Sequence, residues 1–166
     1  MYRKGESFES PRLLYREICA ADAEYVVRWR SDPAIYKYLR MSKPLTMKNH
    51  LEWYEKIYLK DLSRIDFIVT EKVSMMSIGT VCVSGLRGNS GEVGVAIGEV
   101  AFQGQGYATE AVNAIVCEYV KAGISIFYAE IHPENLPSIR IFEKCGFIFN
   151  KHLASGFLLY KKEQAN

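Results

Sequence analysis

A glycine-rich turn, Gln-Gly-Gln-Gly-Tyr-Ala at residues 103–108, is the stretch of this chain whose residue types most directly indicate chemistry. It lies between a short apolar run and an amphipathic segment with helical periodicity. Glycines leave backbone N–H groups accessible, because no side chain covers them. The first turn of the following helix would add unpaired N–H donors and the positive end of its dipole. The stretch therefore predicts a site for an anion such as a phosphate or diphosphate.

Two common phosphate-binding loops do not match this turn. A Walker loop ends in Gly-Lys and then Ser or Thr, and no lysine follows these glycines. The dinucleotide fingerprint needs G-x-G-x-x-G at the start of a βαβ unit, and Gly104 and Gly106 have neither the spacing nor the unit. The turn instead resembles the Gln/Arg-x-x-Gly-x-Gly/Ala signature of the GNAT superfamily of acetyl-CoA-dependent N-acetyltransferases. Gln103, Gly106 and Ala108 fill its three fixed positions.

A second motif covers residues 135–147, with the sequence Asn-Leu-Pro-Ser-Ile-Arg-Ile-Phe-Glu-Lys-Cys-Gly-Phe. It resembles the other shared element of the same family, Asn-x-x-(Ala/Ser) followed by (Tyr/Phe)-x-Lys-x-Gly-Phe. Both motifs occur in the family's order, with a helix and a strand predicted between them. The resemblance covers about residues 11–161, which is nearly the whole chain.

This resemblance implies acetyl-CoA as co-substrate, held without a metal. Backbone groups near Ala96, Ile97 and Gly98 would hold the pantetheine arm in the opening between two splayed parallel strands. The side chain of Asn135 would contact the same arm. Phe142 lies two helical turns further on the same face and would stand near the thioester. The diphosphate would be held by the N–H groups of the turn, which belong to Gln103, Gly104, Gln105, Gly106, Tyr107 and Ala108.

The reaction requires a group that takes the proton of the amine and a donor for the developing oxyanion. Glu92 resembles in position the glutamate that many family members use as a base through water. The alternative is a solvated carboxylate at the end of a strand. Many members carry a tyrosine that can act as a general acid where this chain has Phe142, and phenylalanine has no proton to give. The departing thiolate would then take its proton from another residue or from solvent.

The acceptor is indicated only by the N-terminal third. His50 and Trp53 are similar to residues of nucleotide-linked amino-sugar N-acetyltransferases and would bind substrate. Alternatively, Trp53 is a core anchor and His50 an exposed residue near a helix start. Residues 29–33, Trp-Arg-Ser-Asp-Pro, resemble both that branch and the RimJ/RimL-like branch. The favoured acceptor is a nucleotide-linked amino sugar, and the alternatives are a protein N-terminal amine and a non-catalytic acetyl-CoA-binding module.

Periodicity and turn residues predict the elements that position these groups. The order is strand, helices, three strands, helix, strand, helix and two strands, with Asp22 and Thr46 as helix caps. This order predicts an α/β domain with a mixed, mostly antiparallel central sheet flanked by helices, to which the resemblance adds the splayed parallel pair. Residues 1–10 are expected to be a flexible lead-in, and residues 11–166 to form the single acetyltransferase domain.

Composition limits the class of protein. The chain has 166 residues, of which 49% are hydrophobic and 24% charged, as in a soluble single-domain protein. A net charge of +2 is too small to favour nucleic acid or an anionic membrane, and no apolar run approaches the ~20 residues of a membrane span. Four scattered cysteines argue against a zinc site and favour reduced thiols in the cytoplasm. Pairing of the last strands between two chains would give a homodimer.

Overall fold

The computed structural model describes residues 5–164, which form a single α/β domain. The strands are β1 (Phe8–Glu9), β2 (Leu13–Glu17), β3 (Ile65–Glu71), β4 (Ser77–Arg87), β5 (Ser90–Ile97), β6 (Ile126–Ile131), β7 (Ile148–His152) and β8 (Leu158–Glu163). The helices are α1 (Ala23–Arg30), α2 (Pro33–Tyr36), α3 (Met47–Lys56), α4 (Tyr107–Lys121) and α5 (Leu136–Lys144). No helix within residues 5–164 combines the length and the apolar character that crossing a membrane requires.

The eight strands form one sheet in the order β1-β2-β3-β4-β5-β6-β8-β7. Every neighbouring pair is antiparallel except β5 and β6, which run parallel because the connection through α4 crosses over the sheet. The predicted mixed, mostly antiparallel sheet flanked by helices is therefore confirmed. The predicted order of elements is also confirmed, with β1 as an addition.

Strand β1 corrects the expectation that the chain is loosely held as far as residue 10. Phe8 pairs with Tyr15 of β2, and the two rings stack with their centres 4.4 Å apart. Ser10 donates a hydrogen bond to a carboxylate oxygen of Glu110 at 2.6 Å. A terminal segment is ordered when it is tied to the sheet in this way. Residues 1–4 lie outside the described part of the chain.

The two faces of the sheet carry different layers, because strand side chains alternate. Ile65, Phe67 and Val69 of β3 face the main core, which is closed by α4 and α5. Ile68 faces the other side, where a smaller core contains Val26 and Trp29 of α1, Ile18 and Tyr58. Helices α1 and α3 cover this second face, which also carries polar residues such as Asp66. The candidate site described below lies on this face.

The two predicted helix caps have different outcomes. Thr46 caps α3 as expected, since its hydroxyl accepts the Asn49 N–H at 3.1 Å. Asp22 precedes α1 but does not cap it. Its carboxylate is held by the guanidinium of Arg16 at 2.6 and 2.8 Å and by the Cys19 N–H at 2.9 Å. The Asp22 carboxylate, which the sequence predicts as the cap, is therefore engaged in a partly buried ion pair with Arg16 instead.

Strands β5 and β6 separate soon after they meet. They pair at Ser90–Ile126, Gly91–Phe127 and Glu92–Tyr128. Beyond this point residues 93–97 stay with β4, and residues 129–131 stay with β8. We call the opening between these two segments the fork. It is the splayed parallel pair that the family resemblance implied.

Candidate active site

The glycine turn has the conformation that its glycines allow. Gly104 and Gly106 have φ angles of 71° and 81°, the left-handed region that favours glycine. Within residues 5–164, the N–H groups of Gly104, Gln105 and Gly106 meet no hydrogen-bond acceptor. The N–H groups of Tyr107 and Ala108 belong to the first turn of α4 and have no partner in the helix. Five consecutive donors are therefore available to an anion.

Side chains of the turn hold its shape and leave most of its backbone donors free. The Gln103 amide donates to the Ile97 carbonyl at 2.9 Å, and the Gln105 amide donates to the Ala101 carbonyl at 2.6 Å. The Gln103 N–H itself donates to Val100 at 3.1 Å. Gln103 thus joins the turn to the end of β5, and the free donors begin at Gly104.

Arg12, which the sequence reasoning missed, lies beside the turn. It donates to the Gln105 carbonyl at 3.0 Å and to Glu110 at 2.6 Å, and its guanidinium carbon lies 4.1 Å from the centre of the Tyr107 ring. Its Nη2 lies 3.5 Å from the position that a Cβ on Gly106 would take. Arg12 therefore brings a guanidinium group, paired with Glu110, to the edge of the anion site from 93 residues before Gln105, and no local pattern could have shown this.

The end of β5 forms one wall of the fork. Ala96 and Ile97 pair with Thr80 and Gly79 of β4, on the side away from the fork. The Gly98 N–H donates to Ile78 at 2.8 Å, so this donor is already used. A Cβ at Gly98 would lie 2.1 Å from the indole of Trp29, which makes glycine necessary there.

The second motif supplies a helix start and a core residue. Asn135 caps α5, its Oδ1 accepting the Ser138 N–H at 3.3 Å, and this leaves the amide N–H groups for a ligand. Phe142 is only 3% exposed and packs edge-to-face on Phe147, with ring centres 5.0 Å apart. The structure places Phe142 in the main core with Cys145.

Glu92 lies where the fork begins, as the last residue of β5 that pairs with β6. Its carboxylate accepts a hydrogen bond from Arg40 at 2.9 Å, and the same Arg40 nitrogen lies 2.6 Å from Glu130 of β6. Burial raises the pKa of Glu92; Arg40 lowers it and Glu130 raises it, and the net direction is upward. A carboxylate with a raised pKa at an opening is suited to accept a proton.

Two neighbouring rows of paired residues, which include the polar side chains of Asp66, Ser84 and Glu92, cross the sheet towards the fork on the face covered by α1 and α3. The strand register aligns Asp66 with Cys82, and Cys82 with Gly94. One row further on, Ser84 aligns with Glu92, and Glu92 aligns with Tyr128. We call this surface the polar face. It connects the base candidate to the residues under α1 and α3.

A cluster of basic side chains lies on the polar face. Arg64 holds Asp66 through two hydrogen bonds of 2.6 and 2.8 Å. Arg30 of α1 and His50 of α3 lie beside this pair, and the buried Arg30 Nε and His50 Nε2 have no hydrogen-bond partner in the described residues. Burial lowers the pKa of Arg30 with help from the charge of Arg64, and burial and Arg30 together lower the pKa of His50. We call Arg30, His50 and Arg64 the basic cluster.

This arrangement is unfavourable without a ligand. The partly buried guanidinium of Arg30 loses hydration without a compensating hydrogen bond in the described residues, whereas Arg64 is paired with Asp66. The side chain of Arg64 is 32% exposed, so the cluster reaches the surface. An anionic group entering there would find both a net positive charge and unpaired donors.

The two residues predicted to bind the acceptor meet at this cluster. His50 is 2% exposed, so the alternative of an exposed His50 is wrong. Its ring centre lies 5.6 Å from that of Trp53, and the Arg64 guanidinium lies 5.3 Å from the Trp53 ring. Trp53 also packs on Tyr58 at 5.1 Å, so it contributes to the smaller core as well.

Some of the residues that sequence reasoning missed left a signal. Asp66 stands between Ile65 and Phe67, and Glu130 stands between Ala129 and Ile131, each a charge inside an apolar strand. Strand alternation turns such a residue to the opposite face from its neighbours. Arg30, Arg40 and Arg64 left no such signal, because exposed helix ends and loops commonly carry arginine.

Comparison with known proteins agrees with this geometry. A family model described as an acetyltransferase (GNAT) domain matches residues 12–148. An uncharacterized protein of Methanocaldococcus jannaschii is 30% identical over 142 residues, covering 84% of this chain and 28% of that protein. This chain therefore spans less than a third of that relative's length.

Solved structures share the fold. A domain from M. jannaschii DSM 2661 superposes with a TM-score of 0.83 at 27% identity, covering 92% of this chain and 99% of that one. A spermidine N-acetyltransferase from Vibrio cholerae, in complex with CoA and spermine, gives 0.79 at 20% identity, covering 92% and 94%. The family match spans most of the chain and both of its motifs. The chain therefore belongs to the GNAT acetyltransferase domain family.

Proposed function

We propose that the protein transfers the acetyl group of acetyl-CoA directly to the amino group of a nucleotide-linked amino sugar. The observation that carries this proposal is the basic cluster beside a carboxylate on one continuous polar face. An acceptor with an amine at one end and phosphates at the other would satisfy both. The amine would meet Glu92 at the fork, and the phosphates would meet Arg30, His50 and Arg64.

Acetyl-CoA would bind along the turn and the fork. The free N–H groups from Gly104 to Ala108 would hold the diphosphate, helped by the charge of Arg12. The pantetheine arm would lie against residues 93–97 like an added strand, with Asn135 as a side-chain contact.

The four cysteines are free thiols, which favours a cytoplasmic location.

The transfer would proceed in a ternary complex. Glu92 would take the proton of the acceptor ammonium, directly or through water, and the free amine would attack the thioester carbon. A backbone N–H at the fork would stabilise the oxyanion. The C–S bond then breaks, and the CoA thiolate takes a proton from solvent, because Phe142 has none to give.

The charges of the polar face favour this acceptor over a polyamine. A polyamine carries only positive charge, so it would leave Arg30 without an anionic partner, and Arg30 would repel it. A peptide N-terminus supplies the amine but no phosphate for the cluster. A nucleotide-linked amino sugar supplies both groups in one molecule.

A thiol-release assay with acetyl-CoA tests the proposal. The acceptors are UDP-linked 4-amino sugars, peptides with free N-termini, polyamines and aminoglycosides. We expect turnover with the UDP-linked sugars and little with the others. Turnover on peptides alone would support a protein N-terminal acetyltransferase instead. If no acceptor gives turnover although calorimetry confirms that acetyl-CoA binds, the result would support a non-catalytic acetyl-CoA-binding module.

A further inference from the structure

Arg40 connects the two strands of the fork. It lies between α2 and α3, 52 residues before Glu92 in the chain. Its Nη2 lies 2.9 Å from Glu92 on β5 and 2.6 Å from Glu130 on β6. A single cationic nitrogen therefore joins the two strands at the level where their backbone pairing ends.

The charges around Glu92 can be named element by element. Arg40 approaches from the α2–α3 segment, Glu130 and Tyr128 belong to β6, and Cys82 belongs to β4. Arg64 acts on Glu92 from a longer range, and Asp66 already engages it. Within the described part of the chain, Arg40 is the cation that contacts Glu92 directly.

We propose that Arg40 and Glu130 are positioning residues for Glu92. The Arg40 guanidinium fixes where the Glu92 carboxylate points and keeps that carboxylate charged. Glu130 holds the guanidinium across the fork, and its own negative charge opposes the ionisation of Glu92. The proposal deepens the proposed function and rests on it, because both residues act through Glu92.

The signs of the two effects are opposite. Removing Arg40 takes away a favourable charge, so the pKa of Glu92 rises further above its ordinary value. Removing the Glu130 charge takes away a repulsion and frees Arg40 to serve Glu92 alone, so the pKa of Glu92 falls. The Arg40 side chain is 58% exposed, so solvent screens its charge. We therefore expect each shift of the Glu92 pKa to be roughly half a pH unit.

Carbon NMR of the glutamate carboxyl groups measures this directly. The protein is labelled with glutamate carrying ¹³C at the side-chain carboxyl, and the Glu92 resonance is assigned by its loss in Glu92→Gln. We expect a higher midpoint than wild type in Arg40→Gln, a lower one in Glu130→Gln, and an intermediate one in the double variant. Lys43→Gln removes an exposed charge from the same segment and serves as the matched control, with an unchanged midpoint.

The pH dependence of acetyl transfer separates this inference from the proposed function. We expect the acidic limb of kcat/KM to move in the same directions as the Glu92 midpoints. If the midpoints move and the limb does not, the base role of Glu92 fails and the inference stands. If Arg40→Gln and Glu130→Gln leave the midpoint unchanged, or shift it in the same direction, the inference is overturned whatever the rate does.

Discussion

At the residue scale, each functional side chain is defined by its partners. Glu92 would be an ordinary strand-end carboxylate without the fork, Arg40 and Glu130. His50 would be an ordinary core histidine if its buried Nε2 had a hydrogen-bond partner in the described residues and if the charge of Arg30 did not act on it. Both assignments therefore depend on contacts between distant parts of the chain.

Replacing Glu92 with glutamine should lower kcat at least about 100-fold, the usual contribution of a general base. The dissociation constant of acetyl-CoA should stay nearly unchanged, because the turn and fork remain intact. Steady-state kinetics and calorimetry measure the two quantities. Glu134→Gln, an exposed carboxylate, is the control. A full-rate Glu92→Gln enzyme would make Glu92 a surface residue.

In the wild type, kcat/KM should fall as the pH drops through the pKa of Glu92. That pKa lies above the ordinary glutamate value, because burial raises it. The loss of rate should therefore begin at a higher pH than for a solvated glutamate. A rate profile whose acidic limb is the same in Glu92→Gln would assign the limb to another group.

Arg30→Met should separate function from stability. Removing a partly buried charge without a partner is expected to leave the free energy of unfolding unchanged or raise it by about 1 kcal/mol or more. The same change should raise the KM of the acceptor about tenfold or more, because a charged contact to its anionic group is lost. Denaturant unfolding and kinetics give the two values. A clear loss of stability with unchanged KM would show that Arg30 is structural.

At the element scale, the glycine turn and the fork work as one unit. Gln103 joins them by donating to Ile97, so the turn that holds the diphosphate is tied to the strand along which the arm would lie. The fork itself follows from pairing, because β5 stays with β4 and β6 stays with β8. Changes in either element should therefore affect acetyl-CoA before they affect the acceptor.

Gly106→Asp should abolish acetyl-CoA binding, since it places a negative charge among the donors for the diphosphate. Gly106→Asn is the matched control, because asparagine has nearly the same size and tolerates the positive φ at this position comparably. The asparagine variant should bind with a modest loss. Calorimetry compares the two, and circular dichroism checks folding. Equal affinities of both variants would argue against a diphosphate at Gly106.

Gly98→Ala should destabilise the protein by roughly 1–3 kcal/mol, because the new methyl group meets the Trp29 indole. In a Trp29→Leu background the same change should cost much less, which a double-mutant cycle measures. Additive losses would show that the close approach of Trp29 is not what requires glycine there.

At the scale of the whole molecule, local patterns and long-range contacts were predictable to different degrees. The two motifs, the order of elements and the Thr46 cap depend on neighbouring residues, and the sequence predicts them. The ordered β1, the Asp22–Arg16 pair and the Arg40 bridge depend on residues brought together only by folding. For the same reason, the fork's location could be expected from resemblance, whereas the charges at its mouth could not.

The central claim is that the acceptor presents an amine to the fork and a phosphate to the basic cluster. The most direct measurement compares kcat/KM for a UDP-linked 4-amino sugar with that for the same amino sugar without the nucleotide, in wild type and in Arg30→Met. We expect wild type to prefer the linked sugar at least about 100-fold, because the unlinked sugar lacks the charged contacts between phosphate and cluster. Most of this preference should be lost in Arg30→Met. Equal rates on both sugars in the wild type would contradict the claim.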